Sequence, residues 1–572
     1  MIILGIHDGH NCGASLCHNG KIVCSILEER ITRKKNDVGF PKLSILNCIK
    51  FYGIKLSDID YAVYSSKFMH SANHLEDPGS WYNLSIDDQI RDSKKSKKYQ
   101  KIIFKQRAKE RIDIIKKLIK ISEDKILFYD HHFCHMASSY YLSPFNKNKK
   151  ILSITLDGSG DNSSGKIYIG HKGVFKKISE TSRDASLGKI YSRVTKVLGM
   201  KPWEHEYKVM GLAPYANEKY YNKIKKNVFE NLIFLDKKNL CLKKKKFLSM
   251  NYCYDYLQKN LCGERFDNIS GALQNFTEEI VVDLVKEAIK KTKIRTITLG
   301  GGVFMNVKAN NLISKIKNLK KLFIMPTSGD ESLSMGAAIH CYYEKTKNKN
   351  FKKSYLENLY LGKDYSEIEE KNAVEKLIKN KKQFLIYKKN INQKAASLLN
   401  SGMVIGRCVN RSEWGARALG NRSILARPDN YVMVDKINNM VKKRDFWMPF
   451  APSLLENYFY KFVADNKKSK PYFMTQAYET LKNSDTNKII AACHLRDKTI
   501  RPQIVNKKNN YMYWDLINKF RIMSKIPALL NTSFNLHGHP IVETPKDAIE
   551  VFTKSGIDAL ILNNFLIIKN DQ

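Results

Sequence analysis

In the segment DHHFCHMASSYYLSPF (residues 130–145), His131 and His135 stand four residues apart. On a helix, positions i and i+4 share one face, about one turn apart, which lets two imidazoles grip one metal ion. His132 points to another side and serves as a helix cap or as support from behind. Asp330 sits far downstream, in the turn Ser328-Gly329-Asp330 that follows an apolar run. A carboxylate there completes a set of two histidines and one carboxylate with open positions, which suits Fe(II) or Zn. The bland alternative, in which the histidines and Asp330 only cap helices, is left open by spacing alone.

Two glycine-rich turns form a second set. Asp157-Gly158-Ser159-Gly160-Asp161 lies between two strand-like runs, and Gly300-Gly301-Gly302 ends one strand-like run and opens a helical one. Glycine lets backbone approach a phosphate closely, Asp157 can hold a metal or a hydroxyl, and a helix start offers free N–H groups to an anion. Neither turn is a Walker A loop, because no Gly-Lys-Ser/Thr follows, and neither forms the GxGxxG of a dinucleotide fold. Each alone is as consistent with a tight turn. A phosphate loop near the N-terminus, a second such hairpin and a later Gly-Gly-Gly helix start together resemble the actin-like/sugar-kinase ATPase fold.

The elements that must position these residues are legible as an alternation of strands and helices. Residues 2–6, 14–18 and 21–27 predict a three-strand meander with Asn19-Gly20 as its hairpin turn. Residues 94–121 predict a basic amphipathic helix facing solvent. Strands are predicted over 151–156, 166–170, 295–299, 321–325 and 403–408, with a helix over 332–343. The lysine- and asparagine-rich stretch 345–354 is the best linker candidate.

The chain has 572 residues, 43% of them hydrophobic, and a formal net charge of +42. That is enough apolar material for two large domains and too much for a disordered chain. No apolar run reaches the roughly 20 residues of a membrane span, and the first residues lack the pattern of a signal peptide, so a cytoplasmic protein is expected. The 11 cysteines include no Cys-x-x-Cys pair, which argues against a zinc knuckle and for reduced, buried thiols. The lysines are spread along the whole chain rather than gathered in a stripe, so a solvated basic surface is favoured over a nucleic-acid groove.

Taken in order, the motifs resemble one family. They are HNCGAS (10–15), EERITRKK (28–35), DHHFCHMASSYY, LDGSGD, EYKVMGLAPY (206–215), LGGGVFMN (299–306), SGDESLSMGAA, NRSEWGARALGNRSIL (410–425), KKRDFWMPFAPS (442–453), IRPQ (500–503) and NTSFNLHGHPIVETPKDAI. The series is similar to the NodU/CmcH family of O-carbamoyltransferases and runs across nearly the whole chain. Ala416, where the family often has proline, and the bulky Phe304-Met305 depart from the family pattern.

The resemblance implies an α/β protein of two domains. The first, residues 1–350, is expected to be actin-like (ASKHA) and related to threonylcarbamoyl transferases. The second, residues 351–572, is expected to be YrdC-like. ATP and carbamoyl phosphate, with Mg(2+), would form carbamoyl-adenylate in the second domain, and an acceptor hydroxyl would take the carbamoyl group in the first. The resemblance makes His10 the catalytic histidine, and His131, His135 and Asp330 the ligands of Fe(2+), with Zn or another divalent ion as the alternative. Asp157, Gly158, Gly301, Gly302 and Asn306 match the carbamoyl-adenylate pocket, and Lys35 an acceptor-side lysine. Arg417, Lys442, Arg444, Arg501, Asn531 and Ser533 match residues that hold ATP and carbamoyl phosphate.

The chemistry explains the residue types. ATP and carbamoyl phosphate repel each other, and forked guanidinium groups pair with phosphate on two points. The loop 411–422 brings three arginines, Arg411, Arg417 and Arg422, to that task. A histidine near neutrality can take the proton of an attacking hydroxyl. A sugar hydroxyl, free or within a polysaccharide or natural product, is the expected acceptor, and a homodimer is allowed. The rival from another class is a carbamoyl or threonylcarbamoyl transferase acting on a hydroxymethyl base or a tRNA. A scaffold protein or a plain sugar kinase would leave the second domain's cations without a task.

Overall fold

The computed structural model describes residues 1–68, 82–94, 97–245, 248–379, 383–464 and 471–570. The chain forms two compact units. The first contains Met1–Glu28 and Asn36–Leu356, and the second contains Glu29–Lys35 and Glu357–Gln572. The division after Leu356 falls just beyond the lysine-rich stretch 345–354. The short insertion Glu29–Lys35, which packs with residues more than 300 positions away, has no counterpart in the sequence expectations.

The first unit is built on one pattern used twice. Its first sheet contains β1 (Ile2–His7), β2 (Gly13–His18), β3 (Lys21–Leu27), β4 (Tyr61–Tyr64) and β5 (Ile126–Phe128), in the order β3-β2-β1-β4-β5. The three-strand meander is antiparallel, and β4 and β5 continue it in parallel. The second sheet contains β6 (Ile151–Gly160), β7 (Ser163–His171), β8 (Val174–Ser182), β9 (Thr296–Gly300) and β10 (Lys321–Ile324). Its order, read from the meander, is β8-β7-β6-β9-β10, with the same antiparallel and parallel partners. This duplication is the architecture expected of an actin-like α/β domain.

Helices α1 (His131–Tyr141) and α4 (Leu333–Thr346) pack on each other, α1 also against β6 and β9 and α4 against β1 and β2. Small hydroxyl residues make these contacts close. Ser15 Oγ lies 2.8 Å from Ser334 Oγ, and Ser139 Oγ donates to Thr298 Oγ1 at 3.3 Å. Between them in the chain lie α2 (Leu187–Val197) and α3 (Phe266–Thr292). These helices build a large apolar core against the second sheet, with Leu152, Ile154, Ile190, Val194, Leu273, Leu284, Ile297 and Leu299 at its centre. The basic helix expected over 94–121 runs Lys97–Ile119, and residues 95 and 96 lie outside the described residues.

The second unit centres on an eight-stranded mixed sheet, beside a small antiparallel pair formed by Tyr478–Glu479 and Thr499–Ile500. Its strands are β11 (Phe384–Tyr387), β12 (Ile405–Cys408), β13 (Arg422–Ala426), β14 (Ala451–Leu455), β15 (Gln503–Val505), β16 (Ala528–Ser533), β17 (Ala559–Ile561) and β18 (Leu566–Lys569), ordered β11-β18-β17-β12-β13-β16-β14-β15. Side chains alternate across a strand. Accordingly Leu425 and Leu529 join the core beneath α5 (Tyr511–Ser524), whereas Ile424 and Leu530 join the opposite core beneath α6 (Pro545–Lys554). Apolar residues on both faces account for the near-continuous hydrophobic runs of these strands. Among the described residues no helix is long and apolar enough to cross a membrane. All cysteines are free, and all but Cys262 are buried.

Candidate active site and metal centre

The expected metal ligands meet in the first unit. Asp130 caps α1 by accepting from Phe133 N at 2.9 Å and is itself held by Lys166 Nζ at 2.7 Å. Asp161, in the glycine-rich turn, accepts from His131 N at 2.8 Å and from Ser66 Oγ and Phe68 N at 2.7 Å each. These bonds fix the start of α1, so that His131 and His135 face the C-terminal ends of β6 and β9. Gly160 is needed here, since a Cβ would meet the His131 ring at 2.0 Å. Gly301 adopts φ +98, and a Cβ there would lie 2.2 Å from Leu156 O.

Two carboxylates complete the cluster. Asp157 stands where the pairing of β6 with β7 is interrupted between Leu156 and Gly160. Its Oδ2 lies 3.1 Å from His131 Nε2 and 3.8 Å from His135 Nε2. Asp330 opens a single 3-10 turn before α4, with Oδ1 at 3.6 Å from His131 Nε2 and 3.4 Å from His135 Nε2. One ligand atom from each of the four residues falls within 4.8 Å of all the others. His135 Nε2 and Asp330 Oδ1 are buried and make no hydrogen bond. Atoms bound at about 2.0–2.2 Å around one divalent ion lie at about such separations, and orphaned buried donors and acceptors are rare without a ligand. The four residues fit a metal ion. Asp157, which the sequence places in the nucleotide loop, joins the two histidines and Asp330, while its Oδ1 accepts from Gly302 N at 3.1 Å.

Charge within the cluster is balanced by its members. Burial disfavours charge on His135, but the two carboxylates push its pKa up to about 9. Burial and Asp330 oppose ionisation of Asp157, yet His131 and His135 hold its carboxyl below the usual range. Asp330 likewise titrates well below the usual range, because His10 and His131 outweigh burial.

His10 lies on the other side of Asp330. Its Nδ1 is 3.1 Å from Asp330 Oδ2. An ionised carboxylate only accepts, so Nδ1 carries the proton, and in the neutral ring Nε2 holds the lone pair. His7 supports this arrangement from below: its Nε2 donates to His10 O at 3.0 Å, and its Nδ1 accepts from Ser65 Oγ at 3.1 Å. Burial drives His7 down to about 4, so it stays neutral. His132 is also buried, 3.1 Å from Thr155 Oγ1, and burial with the neighbouring imidazoles lowers it to about 3. It supports the cluster from behind, as its position on the helix implied.

Trp203 joins this site without any sequence signal. The Trp203 ring stacks on His10, with centroids 4.6 Å apart and planes 16° apart. Asn306 is engaged with Gln274 in a reciprocal amide pair at 2.9 and 3.0 Å, and it also caps the following helix at Ala309 N. Gly158 accepts from Ser186 Oγ through its carbonyl at 2.5 Å.

In the second unit a cationic group forms at the end of β16. Lys442 is buried, and its Nζ donates to Ser533 O and Oγ at 2.5 and 3.1 Å and to Asn535 O and Oδ1 at 3.2 and 2.5 Å. Arg444 donates to Thr532 Oγ1 at 2.9 Å and lies over the Phe450 ring. Burial lowers the Lys442 pKa well below its ordinary value, and the charges of Arg444 and Lys35 lower it further. Asn531 Nδ2 donates to Ala418 O, Ser453 Oγ and Gln503 Oε1 at 3.0–3.1 Å. Lys35 therefore sits near Lys442, within the Glu29–Lys35 insertion that Arg30 and Arg33 pin to Gly415 O, Ile541 O and Pro540 O.

The arginines of loop 411–422 divide into two kinds. Arg422 is fully buried and donates to the carbonyls of Glu543, Val409, Asn421 and Asn410. Arg411 donates to the carbonyls of Gly362 and Leu361. Both brace loops. Arg417 and Arg501 are only half-buried. Arg407 is fully buried, donates to Gly420 O and Asn421 Oδ1, and lies over the Tyr513 ring.

The sequence matches two family models, "Carbamoyltransferase N-terminus" over residues 2–339 and "Carbamoyltransferase C-terminus" over residues 396–569. Nodulation protein NolNO of Sinorhizobium fredii is 30% identical over 99% of this chain and 79% of its own length. The uncharacterized protein MJ1051 of Methanocaldococcus jannaschii is 32% identical over 99% of this chain and 100% of its own. Among solved structures, component A of the (R)-2-hydroxyglutaryl-CoA dehydratase of Acidaminococcus fermentans aligns with a TM-score of 0.33 and 12% identity, over 60% of this chain and 99% of its own. With both halves matched by family models and the whole chain by a relative, the protein belongs to the NodU/CmcH-type carbamoyltransferase family and is a carbamoyltransferase enzyme.

Proposed function

We propose that the second unit, read as YrdC-like, joins carbamoyl phosphate and ATP, and that the first unit passes the carbamoyl group to an acceptor hydroxyl. The observation that carries this reading is Lys442, a buried ammonium held only by neutral oxygens and crowded by Arg444 and Lys35. Such a charge is costly to bury without a counter-ion, and anionic substrates supply one. One water, ATP and carbamoyl phosphate give carbamoyl-adenylate, pyrophosphate and phosphate. Lys442, Arg444, Arg417 and Arg501 hold the phosphates, Asn531 and Ser533 lie at the same strand end, and Arg411 and Arg422 keep the loops in shape.

In the first unit the acceptor oxygen attacks the carbamoyl carbon, and the bond to the adenylate oxygen breaks to release AMP. His10 Nε2 takes the hydroxyl proton, while Asp330 Oδ2 orients the ring and stabilises the resulting imidazolium, as in other His–carboxylate pairs. His131, His135, Asp157 and Asp330 would hold the metal, for which Fe(2+) is the proposed identity. When bound, it supplies positive charge and Lewis acidity beside the adenylate phosphate. Gly301 and Gly302, whose lack of side chains leaves room for a nucleotide, the Gly158 turn and Asn306 form the adenylate pocket. Asn306 must leave Gln274 to reach a nucleotide.

The test is pyrophosphate formation by the full chain. It should require ATP and carbamoyl phosphate together, and mass spectrometry of a glycan panel should show the gain of one carbamoyl group. Pyrophosphate formed from ATP alone would overturn the reading. Carbamoyl transfer to tRNA, absent with sugars, would favour the nucleic-acid alternative.

A further inference from the structure

The chemistry of the second unit consumes one water, whose proton needs an acceptor. Lys442, which donates to four oxygens, and the arginines around it are donors only. The turn that follows β16 supplies an imidazole. Leu536 O accepts from His539 N at 3.1 Å, which closes a β-turn over residues 536–539. Gly538 takes φ +77 at the third position of that turn, and His537 stands at the second. Asn535 locks the base of the turn: its Oδ1 accepts from Ser533 Oγ at 2.7 Å, and its Nδ2 donates to His539 O at 2.5 Å.

His537 is exposed, but its ring is tethered, with Nδ1 at 2.6 Å from Lys442 O. A carbonyl oxygen only accepts, so Nδ1 carries the proton and the neutral ring keeps its lone pair on Nε2. Lys442 grips the same turn with its other end, since its Nζ donates to Ser533 and Asn535. The imidazole therefore lies within a lysine's own length of the ammonium that seeks an anion. Water attack on a phosphorylated carbonyl calls for that pairing, a proton acceptor beside a cation that holds the phosphate. Lys442 also ends the helical turn Asn438–Lys442, and satisfying its carbonyl takes only a donor. A lone pair goes beyond what that structural task requires.

We propose that His537 is the general base for the water step in the second unit. This deepens the reading of that unit given above and rests on it. Carbamoyl phosphate lies with its phosphate on Lys442. Water attacks the carbamoyl carbon, His537 Nε2 takes one of its protons, and the bond from that carbon to the phosphate oxygen breaks. The proton passes on to the leaving phosphate. Carbamic acid remains and loses its acidic proton to solvent. A carbamate oxygen then attacks the α-phosphorus of ATP, and the bond to pyrophosphate breaks to leave carbamoyl-adenylate.

The experiment compares the full-length wild type with His537→Asn. An asparagine amide keeps a donor where Nδ1 sits, for Lys442 O, but takes up no proton near neutrality. With ATP and carbamoyl phosphate, the variant should release phosphate and pyrophosphate about a hundredfold more slowly or worse, at unchanged melting temperature. Freshly dissolved ammonium carbamate with ATP bypasses the water step, so both proteins should then form pyrophosphate at similar rates. The same pattern is expected of His537→Gln. In heavy-oxygen water the phosphate released by the wild type should stay unlabelled, because water attacks carbon. A wild-type rate in either folded variant would overturn the assignment. So would variants that carbamate fails to restore, which marks a positioning role, and so would label in the phosphate. A wild type unable to use carbamate would overturn the order of steps. Pyrophosphate made by the wild type from ATP alone is a separate result, and it sinks the reading of the second unit itself.

Discussion

The centres of the two units are built from opposite deficits. In the first, His131, His135, Asp157 and Asp330 crowd lone pairs to within 4.8 Å, and three of their buried atoms have no hydrogen bond. That arrangement is short of a cation. In the second, Lys442 has four neutral oxygens and two cationic neighbours. That arrangement is short of an anion. The difference teaches that burial alone does not tell what a polar cluster is for. What matters is the sign of the charge that would complete it.

The comparison can be broken most directly at its cation-seeking side. His135→Ala should reduce bound divalent ion from about one per chain to near none, by elemental analysis of the purified protein. Pyrophosphate formation should persist, and its loss in a folded variant would show that the two centres are not separable. His10→Ala should lower carbamoyl transfer by roughly a hundredfold to ten-thousandfold while leaving bound metal and pyrophosphate formation intact. On the anion-seeking side, Lys442→Met should cut pyrophosphate formation about a hundredfold and abolish the rise in melting temperature expected of the wild type with ATP. The smallest effect on turnover is expected within loop 411–422. Arg422→Met should cost roughly 2–4 kcal/mol of stability, through four carbonyls left without their donor, with little change in substrate KM. Arg501→Ala should do the reverse, raising KM about tenfold at unchanged melting temperature.

Local pattern revealed what is local. The meander 2–27 was legible because alternation and Asn19-Gly20 specify it, and the pair His131 and His135 because helical spacing brings them to one face. Asp330 could be singled out as a carboxylate in a turn after a strand. That Asp157 joins it depends on the parallel neighbours β6 and β9 and on an interrupted ladder, neither of which leaves a periodic trace. Arg411 and Arg422 looked like phosphate ligands because a guanidinium aimed at carbonyls and one aimed at phosphate are the same letter. Only burial and partners separate them. Trp203 escaped notice because its stack on His10 arises from a left-handed backbone, with its N–H donated to Glu206, that no spacing in the sequence announces.

The insertion Glu29–Lys35 has a consequence for how the protein must be made. Seven early residues belong to a body whose remaining part emerges from the ribosome more than 300 residues later. The second unit cannot finish folding as a late, independent event, because Arg30 and Arg33 must already be at hand to engage Gly415, Pro540 and Ile541. Contacts so distant in sequence slow folding, since a long loop must close before they yield any stabilisation. A fragment starting near residue 357 would leave a bare seam where those arginines dock. Splitting the enzyme into halves should therefore succeed only when a peptide spanning 29–35 is supplied to the C-terminal half.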